Sequence, residues 1–152
     1  MQANLKVKRF DPADEGGKTW WQEYKVDVHP DSTVLDSLIQ IREQDDGTLA
    51  LRCACRASIC GSCGMKVNGS AKLVCKTRVV DVAPNGEQLV IEPMGNQHVV
   101  RDLVVSLDTF FSQIKRVDPF LQPDHVPEQG EYIASNDSME NLLTSMNCIM
   151  CG

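Results

Sequence analysis

Four cysteines occur at a spacing that is found in few protein folds. Cys55, Cys60 and Cys63 are spaced C-x4-C-x2-C, and Cys75 follows after eleven further residues. This spacing is typical of the plant-type 2Fe-2S cluster, in which one loop supplies three thiolates and a neighbouring strand supplies the fourth. The sequence therefore predicts a 2Fe-2S centre, whose chemistry is the transfer of single electrons.

The residues beside these cysteines suit a loop that wraps a cluster. Gly61, Ser62 and Gly64 are small, and residues 52–64 lack the periodicity of a helix or a strand. Small side chains let backbone N–H groups approach the cluster sulfurs, and hydrogen bonds to those sulfurs raise the reduction potential. We expect these three residues to form part of the cofactor site.

Cys53 competes with Cys55 for the place of first ligand. With Cys53 the first interval would be six residues, which breaks the plant-type pattern. We therefore interpret Cys53 as a spare thiol near the cluster. A Cys55→Ser variant that kept its full 2Fe-2S absorption would reverse this assignment.

A second, shorter cysteine pair is formed by Cys148 and Cys151, followed by Gly152. The run C-x2-C-x2-C-x3-C-P is typical of 4Fe-4S clusters, but two thiolates cannot hold one. By itself, the pair is equally consistent with a redox dithiol or with two spare thiols.

Zinc is the rival metal, since two C-x2-C pairs can make a four-thiolate site. Zinc-ribbon pairs are usually about 15 to 20 residues apart, whereas 84 residues separate Cys63 from Cys148. A zinc site formed by the two C-x2-C pairs would also leave Cys55 and Cys75 without a role. The spacing therefore favours iron–sulfur ligation.

The composition limits the partners and the cellular compartment that this protein is expected to have. The chain of 152 residues has a net charge of −6 and no block of Lys or Arg, which argues against a nucleic-acid partner. No apolar run is long enough to span a membrane. No signal peptide is evident at the start of the sequence, which favours a reducing, prokaryotic cytoplasmic compartment. Contact with a membrane would then depend on another chain.

Hydrophobic alternation and turn residues predict an α+β fold. The expected order is a hairpin of two strands, a helix begun by a capping box at Thr33 and Asp36, a second hairpin turning at Asn68 and Gly69, and a strand over residues 89–91. The return strand of the second hairpin is expected to carry Cys75. A small mixed sheet crossed by one helix is a β-grasp arrangement.

The hydrophobic periodicity and the charge composition change beyond residue 102. Apolar residues recur at helical spacing over residues 103–114, and residues 105–152 contain seven acidic residues against only two basic ones. Three prolines interrupt residues 118–130, and Asp137 with Glu140 is expected to cap a short helix through Met146. We therefore predict two domains, a β-grasp 2Fe-2S domain at residues 1–104 and an incomplete helical domain at residues 105–152.

The chain resembles the iron–sulfur subunit of succinate dehydrogenase and fumarate reductase. The matching stretches are residues 55–65 with Asn68 and Gly69, residues 73–77, residues 93–94, residues 102–105 with Phe110 and Phe111, and residues 148–151. They occur in order over nearly the whole chain. The resemblance implies a β-grasp ferredoxin domain followed by the start of an α-helical ferredoxin domain that carries a 4Fe-4S and a 3Fe-4S cluster.

The resemblance also implies the partners and the role of each cysteine. Cys55, Cys60, Cys63 and Cys75 would bind the 2Fe-2S cluster beside the FAD of a flavoprotein subunit, and Cys148 and Cys151 would be the first two ligands of the 4Fe-4S cluster. Membrane-anchor subunits would hold quinone. The family's remaining ligands have no counterpart in this sequence. We therefore expect a fragment of a longer subunit, with a second polypeptide that completes the helical domain as the alternative.

The expected function is an electron relay between FAD and membrane quinone, which serves the tricarboxylic acid cycle and the respiratory chain. The protein would then lie on the inner face of the cytoplasmic membrane without spanning it. The alternative is a stand-alone soluble plant-type 2Fe-2S ferredoxin. Such a carrier has no need of the region beyond Asp102.

Overall fold

The computed structural model describes residues 1–13, 16–120, 122 and 127–151. It opens with two long antiparallel strands, β1 at Gln2–Asp11 and β2 at Lys18–Asp27, in which Leu5 lies opposite Tyr24. Alternate residues of β1 are buried, as the hydrophobic alternation predicts for a strand with one face in the core. The predicted opening hairpin is confirmed.

Three shorter strands complete a mixed sheet. They are β3 at Gly64–Val67, β4 at Ser70–Leu73 and β5 at Leu89–Glu92, and the strand order is β2-β1-β5-β3-β4. β5 runs parallel to β1 and antiparallel to β3. Asn68 and Gly69 make the β3–β4 turn with φ angles of 49° and 79°, the conformation that this residue pair favours.

A helix crosses this sheet. α1 spans Val34–Gln40 and begins with the predicted capping box, in which Thr33 and Asp36 bond to each other's backbone amides. The chain continues as a π-helical segment at Ile41–Asp45, and a short helix, α2, follows later at Val79–Val82. Buried apolar residues of α1 pack with those of the strands in one core. This arrangement is the predicted β-grasp.

The region after the sheet differs from its prediction. A small hairpin of β6 at Val99–Arg101 and β7 at Val104–Val105 precedes α3 at Asp108–Arg116. The expectation of a helix from Leu103 is therefore wrong. Asp102 has a φ of 45°, and the amide of Leu103 donates to the carbonyl of Ala50, so that this stretch is held as a turn. β7 lies at the predicted boundary between residues 104 and 105, and the division into two domains stays a prediction.

The last described helix, α4, spans Asn136–Met146. A helix was expected here, but its cap is Ser135, whose hydroxyl accepts a hydrogen bond from the Ser138 amide; the predicted Asp137 and Glu140 cap is wrong. Pro123, one of the three prolines expected to interrupt the connection, lies outside the described residues. Among the residues that are described, no helix combines the length and the apolarity needed to cross a bilayer.

A buried ion network ties the sheet to the segment that leads into the cysteines. Arg9 on β1 bonds to Asp102 at 2.9 Å and to Asp46 at 2.6 Å, and the hydroxyl of Tyr24 on β2 donates to Asp46 at 2.7 Å. Asp102 also accepts from the amide of Ala50 at 2.8 Å. Burial by itself would raise the pKa of Asp46, but hydrogen bonds from Thr48, Tyr24 and Arg9 hold the pKa well below its usual range.

Candidate metal centre

The fold brings the four predicted ligands to one end of the sheet. Cys55, Cys60 and Cys63 lie on the irregular segment that leads into β3. Cys75 does not lie on a strand as expected, because β4 ends at Leu73 and Cys75 occupies the turn that follows. The amide of Val74 in this turn donates to the Cys63 carbonyl at 3.3 Å, which fixes the turn beside the loop.

The four sulfur atoms are arranged as two neighbouring pairs. The amide of Cys60 donates to the Cys55 sulfur at 3.4 Å, and the thiol of Cys75 lies close enough to that of Cys63 to affect its pKa. The Cys60 sulfur also interacts electrostatically with Cys63, which links the two pairs. The two pairs therefore lie on adjoining segments, and a site shared by all four cysteines stays a prediction.

The environment of each pair changes the acidity of its thiols. The hydroxyl of Ser62, together with backbone and side-chain hydrogen bonds from Cys55 and the Ser62 amide, lowers the pKa of Cys60 to about 6. Burial raises the pKa of Cys63 to about 11. Because the thiolate is the form that binds metal, Cys60 would need little change in protonation to ligate iron, whereas Cys63 would have to release its proton on binding.

The backbone of the loop turns its amides towards sulfur. Arg56, Ser58 and Gly61 have φ angles of 53°, 60° and 68°, so the chain turns repeatedly through the left-handed region. The amides of Ala57 and Cys60 both donate to the Cys55 sulfur, the former at 3.3 Å. Such amides stabilise the negative charge that thiolate ligands and cluster sulfides carry.

This donor set fits a two-iron cluster. Each iron of a 2Fe-2S cluster takes two protein thiolates and two bridging sulfides, so two adjacent thiol pairs meet its requirement. Across the ranges that the structure describes, no three His, Cys, Asp or Glu side chains converge on the position of one metal ion. Cys55 with Cys60 would hold one iron, and Cys63 with Cys75 the other.

The remaining cysteines lie in two different settings. Cys53 is partly buried and packs against the hydrophobic core, as Cys75 also does, so its interpretation as a spare thiol stays a prediction. Cys148 and Cys151 are exposed. The amide of Met150 donates to the Cys148 sulfur at 3.4 Å, which is the same geometry that Ala57 has with Cys55.

Three residues near the site were missed by sequence reasoning. The Met94 side chain lies against Gly64, the Met150 side chain lies against Gly61, and the Gln97 amide bonds to the Met150 carbonyl. Their contacts join segments that are far apart in sequence. Met94 and Met150 belong to the matching stretches at residues 93–94 and 148–151, but nothing in the sequence indicates that they contact the cysteine loop.

The model of the 2Fe-2S iron-sulfur cluster binding domain family matches residues 4–112. The chain belongs to this family. The predicted 2Fe-2S cofactor is thereby confirmed as that of the family, and the four cysteines, Gly61, Ser62 and Gly64 all lie within the matched range.

Relatives of known name and structure extend the likeness over nearly the whole chain. The fumarate reductase iron-sulfur subunit of Mycobacterium tuberculosis (strain CDC 1551 / Oshkosh) is 39% identical over 97% of this chain and 60% of its own length. A chain of the Mycobacterium smegmatis Sdh1 complex in the apo form superposes with a TM-score of 0.80 at 29% identity, over 99% of this chain and 60% of that one. The predicted resemblance is confirmed as homology, and the chain spans about 60% of the length of both relatives.

A hypothetical protein from Helicobacter pylori shares the fold more distantly. Its structure matches with a TM-score of 0.51 at 20% identity, over 80% of this chain and 22% of its own. At that identity the match supports the fold alone.

The effect of the Ser62 hydroxyl on the reduction potential of the cluster can be measured. We expect Ser62→Ala to lower the reduction potential by several tens of millivolts, because a hydrogen bond to a ligand sulfur favours the more negative, reduced state. For a one-electron couple, about 59 mV corresponds to about 1.4 kcal/mol. A redox titration followed by visible absorption measures the shift.

Ser58→Ala is the matched control for this titration. Ser58 lies on the same loop with a φ of 60°, and it is not among the groups that shift the pKa of Cys60 or Cys63. The reduction potential of the Ser58→Ala variant should equal that of the wild-type protein. Equal potentials for Ser62→Ala and Ser58→Ala would refute the role of the Ser62 hydroxyl.

Proposed function

We propose that the chain is the electron-relaying part of an iron–sulfur subunit of succinate dehydrogenase or fumarate reductase. The observation that carries the proposal is the pairing of Cys55 with Cys60 and of Cys63 with Cys75 at one end of a β-grasp sheet. The relative named as a fumarate reductase iron–sulfur subunit supports the choice of enzyme. A bound 2Fe-2S cluster takes up and releases one electron at a time.

The residues of the loop would hold and orient the cluster for that transfer. Cys55 and Cys60 would ligate one iron at the exposed side, while Cys63 and Cys75 would ligate the other towards the core. Ser62 and the inward-turned amides would adjust the potential. Ile59 is 78% exposed at the tip of the loop, which leaves this side open to an electron donor.

The proposed donor is a flavoprotein subunit that holds FAD and the dicarboxylate. A flavin accepts two electrons from succinate, and a one-electron centre divides them into single transfers. Membrane-anchor subunits with quinone would receive the electrons, and the protein would lie on the inner face of a prokaryotic cytoplasmic membrane. A helical domain with 4Fe-4S and 3Fe-4S clusters, of which Cys148 and Cys151 would supply the first two ligands, completes the proposed relay.

The exposed apolar side chains support the proposal that this chain assembles with other polypeptide chains. Large exposed hydrophobic residues are frequent beyond residue 108, and patches of this kind mark interaction surfaces. They are Phe111, Val117, Phe120, Tyr132, Ile133, Met139, Leu142, Leu143 and Met146. This distribution favours the subunit over the stand-alone plant-type ferredoxin.

The test is to purify the protein from its own cells with whatever it binds and to add succinate. The proposal predicts that a flavoprotein copurifies and that succinate produces the electron paramagnetic resonance (EPR) signal of a reduced 2Fe-2S centre. Fumarate should then reoxidise the centre. A protein that binds no flavoprotein and is reduced only by a soluble ferredoxin reductase would instead be the stand-alone ferredoxin.

A further inference from the structure

The segment 148–151 lies directly against the cysteine loop. A Cβ atom built on Gly61 would be 2.5 Å from the methyl carbon of Met150, and one on Gly64 would be 3.4 Å from the Ile149 carbonyl oxygen. A side chain at position 61 would therefore force the Met150 side chain to move, and one at position 64 would touch the Ile149 backbone. The two cysteine motifs meet through their backbones and the Met150 side chain.

One hydrogen bond from the β5–β6 connection fastens this contact. The Nε2 atom of Gln97 donates to the Met150 carbonyl at 3.0 Å, across 53 residues of sequence. The other amide atom, Oε1, is buried and accepts no hydrogen bond among the described residues. The orientation of the amide is nevertheless fixed, because a reversed Gln97 would set its oxygen against the carbonyl oxygen of Met150.

This bond contributes little to the stability of the chain. A buried acceptor without a partner costs about as much free energy as one hydrogen bond returns. An apolar side chain of similar size at position 97 would therefore fold equally well. Gln97 therefore determines where Met150 lies and contributes little to the stability of the sheet.

We propose that Gln97 is a positioning residue that holds the segment 148–151 against the cysteine loop, and so keeps the segment that carries the second cysteine pair beside the 2Fe-2S centre. The inference rests on the proposed function, since an electron that leaves this centre needs a close acceptor. The amide of Gln97 bonds to the Met150 carbonyl rather than to a cysteine. It acts through the backbone of Met150.

Methionine methyl groups provide the test, because unpaired electrons broaden the nuclear magnetic resonance signals of nearby protons. The protein is labelled with 13C-methyl methionine and loaded with its cluster, and spectra are compared before and after reduction. Met94, against Gly64, and Met150, against Gly61, should both be broadened by the cluster. Met1, at the far end of β1 beside Val28, should stay sharp.

Two variants separate the hydrogen bond from the shape of the side chain. Gln97→Leu removes the polar group, and Gln97→Glu at pH 8 keeps the shape but replaces the donor with a carboxylate. Both should reduce the broadening of Met150 several-fold and leave that of Met94 unchanged. The control is Gln88→Leu, which removes a glutamine that donates to Glu23 at 3.1 Å, and it should leave both signals as in the wild type.

The outcomes distinguish this inference from the proposed function. If Met94 is broadened but Met150 is sharp in the wild type, or keeps its broadening in both Gln97 variants, the positioning role is overturned and the cluster site stands. If neither methyl group is broadened, no paramagnetic cluster lies on this loop. That result would overturn the proposed function and the inference together.

Discussion

Replacing Cys63 with alanine should leave the protein unable to hold a 2Fe-2S cluster. The change removes one of the two thiolates that would bind the inner iron, and Cys75 alone cannot hold that iron. Loss of a residue that merely supports a ligand already weakens metal binding about 10- to 100-fold, so the loss of a ligand should exceed that. Iron, acid-labile sulfide and visible absorption per chain measure the effect.

Two further variants make this result interpretable. Cys55→Ala removes an exposed side chain, so it leaves no cavity in the core and should still lose the cluster. Cys53→Ala changes a cysteine of the same segment and should retain the full iron and sulfide content. The ligand assignment is wrong if Cys53→Ala loses the cluster while Cys55→Ala keeps it.

The second large effect is expected at the buried ion network. Asp102→Asn should lower the free energy of unfolding by about 3 kcal/mol, because it removes the charge that the buried Arg9 faces. Both carboxylate oxygens of Asp102 accept hydrogen bonds from donors, and the NH2 group of asparagine cannot replace either one. Asparagine tolerates the φ of 45° at this position, so backbone strain is not the cause.

Urea unfolding of the cluster-loaded protein, followed by circular dichroism, measures this loss. With a slope of about 2 kcal/mol per molar urea, the midpoint should fall by more than about 1 M. Asp81→Asn, which breaks the exposed ion pair with Arg78, is the matched control and should change the midpoint little. Equal midpoints for the two variants would contradict a stabilising role for the network.

Features that depend on neighbouring residues in sequence were predictable. The alternation of β1, the capping box at Thr33 and the Asn68–Gly69 turn each depend on a few adjacent side chains, and each is found as predicted. The four cysteines were predicted in the same way, from their spacing alone, and their role as ligands stays a prediction. The β-grasp follows from these local elements taken in order.

The errors arose where distant contacts decide the local conformation. Leu103 and Val104 fit a helical spacing, but Asp102 is drawn into a turn by Arg9 on the first strand. Apolar periodicity cannot report an ion pair that spans 93 residues. The contact of Gln97 with Met150 is of the same kind, since the two residues are 53 positions apart and no local pattern links them.

The central claim is that Cys55, Cys60, Cys63 and Cys75 hold a 2Fe-2S cluster that carries one electron. The most direct measurement is metal and sulfide analysis of the purified protein, combined with EPR of the dithionite-reduced sample. We expect about two iron and two sulfide per chain, and roughly one unpaired electron per chain after reduction. Zinc without sulfide, and no EPR signal on reduction, would contradict the claim.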